Sequence, residues 1–410
     1  MAKRCLTMAA ALVWTIGAGS SARGTDVATR ITDLNPGTGH GVPFFFAAVF
    51  QNKLYFQGKD DNASESDLWV YDGFNPPSIV PGGEGISPAY LAVWGEDLWF
   101  RAGPSGDREL WRYDGVVPPT EALDIAVGGD GNVRFLQPFG THLCFVGNAP
   151  GAGGELICWD GSSAPSVFDL RAGSGGSDPE TYGVHQGKLY FDAFVDAVGD
   201  EPYSWDGLVA PSLLADVNPG TASSLPWAFV TFGDDLYFTA ADDSGLMRVW
   251  RHDGVGAPVS IAPTFSVEGG SAVWRGSLYS AGWLEEHPES TLRRWNGSSF
   301  QHLAFNPGGS GAAAESFTPF AESLFFVSDV ATGTDLFRIC GSGTVSRSTD
   351  QFAGPDFVQS GGLMPFAGRL FFTARTATHG AELWALDADE AVFCHGFEDS
   401  DTTGWSTTIP

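Results

Sequence analysis

The sequence predicts an all-β fold, an eight-bladed β-propeller of four-stranded antiparallel blades whose ring is closed by the N-terminal strand. Three observations predict it. A Leu-Tyr-Phe-like triplet begins at Leu54, Leu98, Leu143, Leu189, Leu236, Leu278, Leu324 and Leu370, at intervals of 42 to 47 residues. Each triplet is followed by an acidic-Leu-Trp-x-x-Asp-Gly segment or a decayed form of it. The apolar pattern alternates with period two and is broken by turn residues, which disfavours helical repeats. Eight units at a near-constant period mark one repeat domain using most of the 410 residues, where length alone would suggest two or three domains.

The second motif reads as a strand and then a turn. It gives Asp67-Leu68-Trp69-Val70-Tyr71-Asp72-Gly73, then Glu109-Leu110-Trp111-Arg112-Tyr113-Asp114-Gly115, then Glu155-Leu156-Ile157-Cys158-Trp159-Asp160-Gly161. Units four and five end Trp205-Asp206-Gly207 and Trp250-Arg251-His252-Asp253-Gly254. Aromatics two apart share one face of a strand, and Asp-Gly supplies the positive φ of a tight hairpin turn. These acids are therefore expected to form turns, not to catalyse. A third segment closes each unit in a Pro-Gly loop, as in Asp216-Val217-Asn218-Pro219-Gly220, and a fourth precedes each triplet, as in Tyr90-Leu91-Ala92-Val93-Trp94. Four short strands per unit make a propeller blade. β-Helices and leucine-rich repeats have other spacings. Thr29-Arg30-Ile31-Thr32-Asp33-Leu34 looks like an outer strand with no triplet before it, so it is expected to complete the last blade. Ala391-Val392-Phe393-Cys394 competes for that slot.

The units resemble the bacterial ELWxxDGT repeat family of exported proteins. The resemblance covers roughly residues 28 to 390, with the motif sharp in units one to three and degraded in six and seven. It implies export and a propeller, and brings no activity with it. The tail Gly396-Phe397-Glu398-Asp399-Ser400-Asp401-Thr402-Thr403-Gly404-Trp405 resembles a carboxy-terminal sorting-type motif of exported gammaproteobacterial proteins, with Ser400 where that motif has glycine.

Domain organisation follows. Residues 1–22 read as a signal peptide, with basic Lys3 and Arg4, an apolar run from Leu6 to Ala18, and cleavage after Ala22. Residues 23–394 form the propeller, and 395–410 an acidic tail. The expected location is secreted, whether extracellular, outer-surface or periplasmic. No later stretch is long and apolar enough to span a membrane. The formal net charge is -28, with only 21 Lys plus Arg. Such a surface repels phosphate backbones, so nucleic acid is excluded as a partner.

Four cysteines remain after processing: Cys144, Cys158, Cys340 and Cys394. An even number in an exported chain favours disulfides. Cys144 and Cys158 fall on neighbouring strands of one hairpin, which leaves Cys340 with Cys394 by elimination. Opposite-facing side chains would defeat the first pairing, and two packed free thiols are the alternative.

The chemistry-bearing motifs are sparse. There is no nucleophile elbow and no His-Glu-x-x-His helix, and no two of the eight histidines share a metal-ligand spacing. His252 occupies an aromatic position and is expected to pack there. The calcium candidates are Asp60, Asp61 and Asp67 in one oxygen-rich hairpin and Asp242 and Asp243 in another, against plain polar turns. Three functions stay open: a non-enzymatic binding or adhesion scaffold for a glycan or protein, a polysaccharide hydrolase or lyase with carboxylates at the channel mouth, and a calcium-stabilised scaffold. Function is expected in residues that depart from the repeat at the two mouths of the ring, chiefly Trp283-Leu284-Glu285-Glu286-His287 in unit six and the loop from Ala149 to Gly154 in unit three.

Overall fold

The computed structural model describes residues 28–387 apart from 61–63, 262–264, 285–286, 304, 306–313, 331–332, 342 and 349–361. The signal segment, the tail, Asp61 and Cys394 lie outside the described residues, as do the side chains from Trp283 to His287. Among the described residues, thirty-two strands pair into eight four-stranded antiparallel sheets. In blade 2 the strands are Ala89–Trp94, Asp97–Ala102, Glu109–Tyr113 and Thr120–Leu123, in that spatial order. First strands of neighbouring blades lie against one another and so surround the central axis. In each blade the turn between the first two strands and the Asp-Gly loop share one end, here called the lower end. The second-to-third hairpin and the connection between blades share the upper end.

The core is laid down between blades. The first and third triplet residues face the preceding blade, and the second faces the next. Leu54, Phe56, Trp69 and Tyr71 thus pack on Phe366, Phe371, Leu383 and Ala385 of blade 8, while Tyr55 joins Leu98, Phe100 and Tyr113 of blade 2. An aromatic triad recurs at the lower end of these seams, as in Phe50, Tyr55 and Tyr113 with ring centroids 5.9 and 5.8 Å apart. His252 belongs to this series, 5.7 Å from Tyr190. Burial lowers its pKa, as it does that of His185 beside it.

An acid near the start of the third strand clamps blades 1 to 4 and blade 8 to the connection that follows. Glu109, Glu155, Glu201 and Glu382 are fully buried. Glu109 accepts from the backbone N–H groups of Ile125 and Gly131, both at 2.7 Å. Glu201 accepts from Val217 N at 2.8 Å, Ser224 N at 3.2 Å and the Ser224 hydroxyl at 2.7 Å. These donors are polar groups of the connection, which burial obliges to find acceptors. Burial pushes these carboxyls upward against the downward pull of the donors. A glycine admits the carboxylate, since a Cβ on Gly131 would fall 2.2 Å from Glu109 Oε2.

The same clamp closes the ring. Ala28–Arg30 pairs with Trp384–Leu386 as the outer strand of blade 8. The strand is shorter than the sequence suggests, because Thr32, Leu34 and Asn35 instead serve as the connection. Thr32 Oγ1 donates to Glu382 at 2.6 Å, Leu34 N at 3.1 Å and Asn35 N at 3.3 Å.

The Asp-Gly segments form turns, though not two-residue hairpins. Six residues separate strands three and four in blades 1 to 5. Asp72 accepts from Phe74 N and Asn75 N, both at 2.8 Å, and Asp114 does the same for Val116 and Val117. Asp160, Asp206 and Asp253 repeat the pattern. These donors hold Asp72 down at about 2, most strongly the Asn75 side-chain amide. Only the glycine is left-handed, with φ 93° at Gly73 and 89° at Gly115. Its bare Cα also lets the preceding blade approach, as Gln51 does on Gly115.

Candidate functional site

The ring departs most from its own repeat at the upper mouth of the channel. Four residues before the aromatic that ends each first strand stand Phe46, Tyr90 and Phe135 in blades 1 to 3. The same position holds Thr181, Ala228, Gly270, Ser316 and Gly362 in the others. Three bulky rings therefore line one arc, and small residues line the rest. Phe46 and Tyr90 have centroids 4.9 Å apart, and Tyr90 and Phe135 5.1 Å. Phe44, which is 62% exposed, extends the row at 6.3 Å from Phe46.

Local backbone geometry aims these rings. The first strands of blades 2 and 3 carry bulges, where the register slips between Ala89 and Ala92 and between Arg134 and Gln137. Tyr90 and Phe135 both sit at φ 55°. For bulky residues this left-handed conformation is strained by roughly 1–3 kcal/mol. A bulge re-aims a side chain that would otherwise alternate between sheet faces. The guanidinium of Arg101 lies 5.1 Å from the Tyr90 ring centroid, and Arg134 pairs with Asp178 beside Phe135.

The row ends at a pair of carboxyls. The buried Asp192 accepts from Glu180 N at 2.9 Å, and from Thr181 N and its hydroxyl at 2.7 and 2.9 Å. Asp192 lies opposite Pro202 and Asp200 opposite Phe194, so the two carboxyls are diagonal neighbours on one face. One oxygen of Asp200 is buried without a partner. Burial, then the charge of Asp192, pushes Asp200 up to about 7. Neither residue has an acidic counterpart among the described blades; Gln57 and Ser66, or Arg101 and Arg108, stand in their places.

A pH dependence follows. The unfolded chain releases the Asp200 proton near pH 4, whereas the folded chain keeps it to about 7. Stability from this group is therefore undiminished below the unfolded value and is lost as pH rises towards 7. Asp200→Asn is expected to stabilise the protein by about 1–2 kcal/mol near pH 8 and by almost nothing near pH 4. Urea unfolding at the two pH values measures this, and an equal effect at both would exclude the assignment.

The residues singled out from sequence are placed as follows. Trp69, Trp111 and Trp250 occupy one position of the third strand. Trp159 and Trp205 occupy another, two residues on, opposite the triplet leucine. Gly161, Gly207 and Gly254 are left-handed, like Gly73 and Gly115. Cys144 and Cys158 are directly opposed with Cα atoms 4.1 Å apart and form a disulfide. Directly opposed residues share a face, which removes the objection that they point apart. Cys340 is also disulfide-bonded; its expected partner Cys394 lies outside the described residues. Asp67 acts as the clamp of blade 1, accepting from Gly85 N at 2.7 Å. Asp242 accepts from Ser244 N and Leu246 N and pairs with Arg248 at 2.9 Å. Arg248 stands where other blades have the clamp acid, so the oxygens of Asp242 are already engaged. Asp60 and Asp243 are exposed.

The architecture is that of an eight-bladed β-propeller with an aromatic arc and a carboxyl pair at one mouth. No protein-family profile matches the chain, and no curated protein matches it in sequence. Among solved structures the chain is similar to Ika8, a computationally designed protein. The TM-score is 0.52 at 16% identity, covering 88% of this chain and all of that one. It is also similar to a prolyl endopeptidase (TM-score 0.50, 12% identity, 84% of this chain and 55% of that one) and a puromycin hydrolase (0.50, 12%, 82% and 58%). The chain thus spans little more than half the length of those two enzymes, and at these identities the likeness concerns the fold.

Among the described residues, no helix is long and apolar enough to cross a membrane.

Proposed function

We propose that the chain is a secreted, non-enzymatic binding propeller that holds a neutral glycan across the upper mouth of its channel. The carrying observation is the arc of Phe46, Tyr90 and Phe135. Sugar rings present apolar C–H faces that stack on aromatic side chains, and hydroxyl rims that bond carboxyls and guanidinium groups. Arg134, Asp178 and Asp200 supply such groups beside the arc. A net charge of -28 disfavours anionic polysaccharides. The Cys144–Cys158 disulfide supports an oxidising compartment.

Binding of the chain to an array of neutral and anionic glycans tests this. Tyr90→Gly removes one ring and relieves the left-handed backbone that glycine tolerates. It is expected to weaken binding at least about tenfold while moving stability by no more than about 1 kcal/mol. Retention of every neutral glycan by the variant would count against the mouth as the site.

The carboxyl pair favours a second reading, hydrolysis of the same glycan. Asp200, held protonated near neutral pH, would donate to the leaving oxygen, and Asp192 would act as the base or nucleophile. Both acids come from blade 4. Product release from a bound glycan, abolished in Asp200→Asn, would decide for this reading.

A further inference from the structure

At the lower end of the seam between blades 2 and 3 lies a concavity of about 420 Å³. It is lined by Trp94, Trp99 and Trp159, with Asp97, Arg112 and Glu121 among the polar groups. This is the position of the recurring aromatic triad, and among the described seams it is the one where all three members are tryptophan. The indole centroids are 5.4 Å apart for Trp94 and Trp99, 5.8 Å for Trp99 and Trp159, and 6.5 Å for Trp94 and Trp159. Trp99 Nε1 donates to the Trp94 carbonyl at 3.1 Å, and Trp159 Nε1 to the Ser163 carbonyl at 2.7 Å. These bonds fix Trp99 and Trp159 and satisfy their polar atoms, and Trp94 packs on both.

We infer that this pocket is a second saccharide site, separate from the upper mouth, which takes one or two pyranose rings of a neutral glycan. The volume falls within the roughly 300–1,000 Å³ of small-molecule sites. Its lining sets an aromatic wall against Asp97, Arg112, Thr120 and Glu121, so ring faces can stack on one side while hydroxyls bond the polar groups on the other. Arg112 is tied to Asp97 at 2.8 Å, and Glu121 adds a negative charge, which leaves no free cation for an acidic sugar. Both partners of the ion pair can still accept from or donate to hydroxyls at the rim. Blade 5 carries the same ion pair, Arg251 with Asp235 at 2.6 Å, but its triad is Phe232, Tyr237 and Trp295. The three indoles, not the ion pair, therefore set this seam apart.

The two sites occupy opposite ends of the same first strand. Tyr90 and Trp94 are four residues apart, about 13 Å along a strand. With a glycan held at the upper mouth as proposed above, one chain can hold two glycan strands at once. The pocket itself does not rest on it.

The test is titration of full-length protein carrying 15N-labelled tryptophan with cellobiose, maltose and chitobiose, followed through the indole N–H signals. Those of Trp94, Trp99 and Trp159, assigned with single Trp→Phe variants, are expected to shift selectively and saturably with at least one disaccharide. They should do so equally in the Tyr90→Gly background. Trp94→Ala is expected to weaken that response about tenfold or more. Should this variant fail to fold, the wild-type titration decides alone. If no signal among the three moves with any disaccharide, the pocket is not a saccharide site. If the shifts vanish in Tyr90→Gly, there is one site rather than two, and the inference falls. Shifts that persist while array binding at the mouth is absent would sustain the pocket and sink the reading of the mouth.

Discussion

Glu382→Ala is expected to destabilise the protein by about 3–5 kcal/mol, the largest effect of any single clamp substitution. Glu382 is fully buried and accepts from Thr32, Leu34 and Asn35, some 350 positions away in sequence. Alanine would remove the acceptor that these donors share and leave the buried Thr32 hydroxyl facing a void, at about 1–3 kcal/mol for a buried donor that loses its acceptor. The other clamps join elements already neighbours along the chain, as Glu109 does to residues 16 and 22 positions on. Glu382 instead holds the closing segment, whose outer strand has only three paired residues. Losing it frees the chain start and exposes the edge of blade 8. Urea denaturation should show the loss, and limited proteolysis should cut near residue 34 before any other blade is attacked. Glu382→Gln keeps one acceptor and should lose roughly half as much. If Glu109→Ala proved as damaging and as open at the N-terminal end, Glu382 would not be the lock of the ring.

The paired substitution Cys144→Ala with Cys158→Ala is expected to lower stability by about 3 kcal/mol, from the chain entropy restored to the unfolded state. The bridge spans 14 residues. A cavity contribution adds to this, because both cysteines are buried against Leu189, Phe191 and Trp205 of blade 4. Cys144 stands where the other seams have a triad aromatic, so the disulfide replaces an aromatic contact between blades. Reduction should therefore be slow in the folded protein and track global unfolding. Alkylation of denatured, unreduced protein should leave both residues unlabelled, and labelling of either would remove the basis of the prediction.

Much of the fold was legible because a propeller is built from local rules repeated. Strand, turn and period are written in residues close in sequence: Leu54 to Phe56 for a strand, Asp72-Gly73 for a turn, eight returns of both. The turn type was misread because Asp72 bonds two residues of a longer loop, a geometry that composition does not distinguish from a tight hairpin. In the sequence the clamp acids are the motif's first letter, and Asp67 is also a calcium candidate. Their donors lie in the following connection, or for Glu382 at the other end of the chain, and no sequence spacing displays that pairing.

The site was partly readable. Phe46, Tyr90 and Phe135 against Thr181, Ala228, Gly270, Ser316 and Gly362 are a visible break in an aligned repeat, as are Asp192 and Asp200. What could not be read is that the first three rings meet and that the two acids share a face. Ring contact depends on adjacent first strands converging on the axis and on bulges that turn Tyr90 and Phe135 out of alternation. The sequence by itself thus determined the class, the number of blades and which residues build them, since each depends on short-range pattern and hydrophobic burial. The tertiary structure alone decided how the ring is locked, which cysteines face each other and which departures from the repeat come together. Those depend on contacts between segments that the chain separates by tens to hundreds of residues.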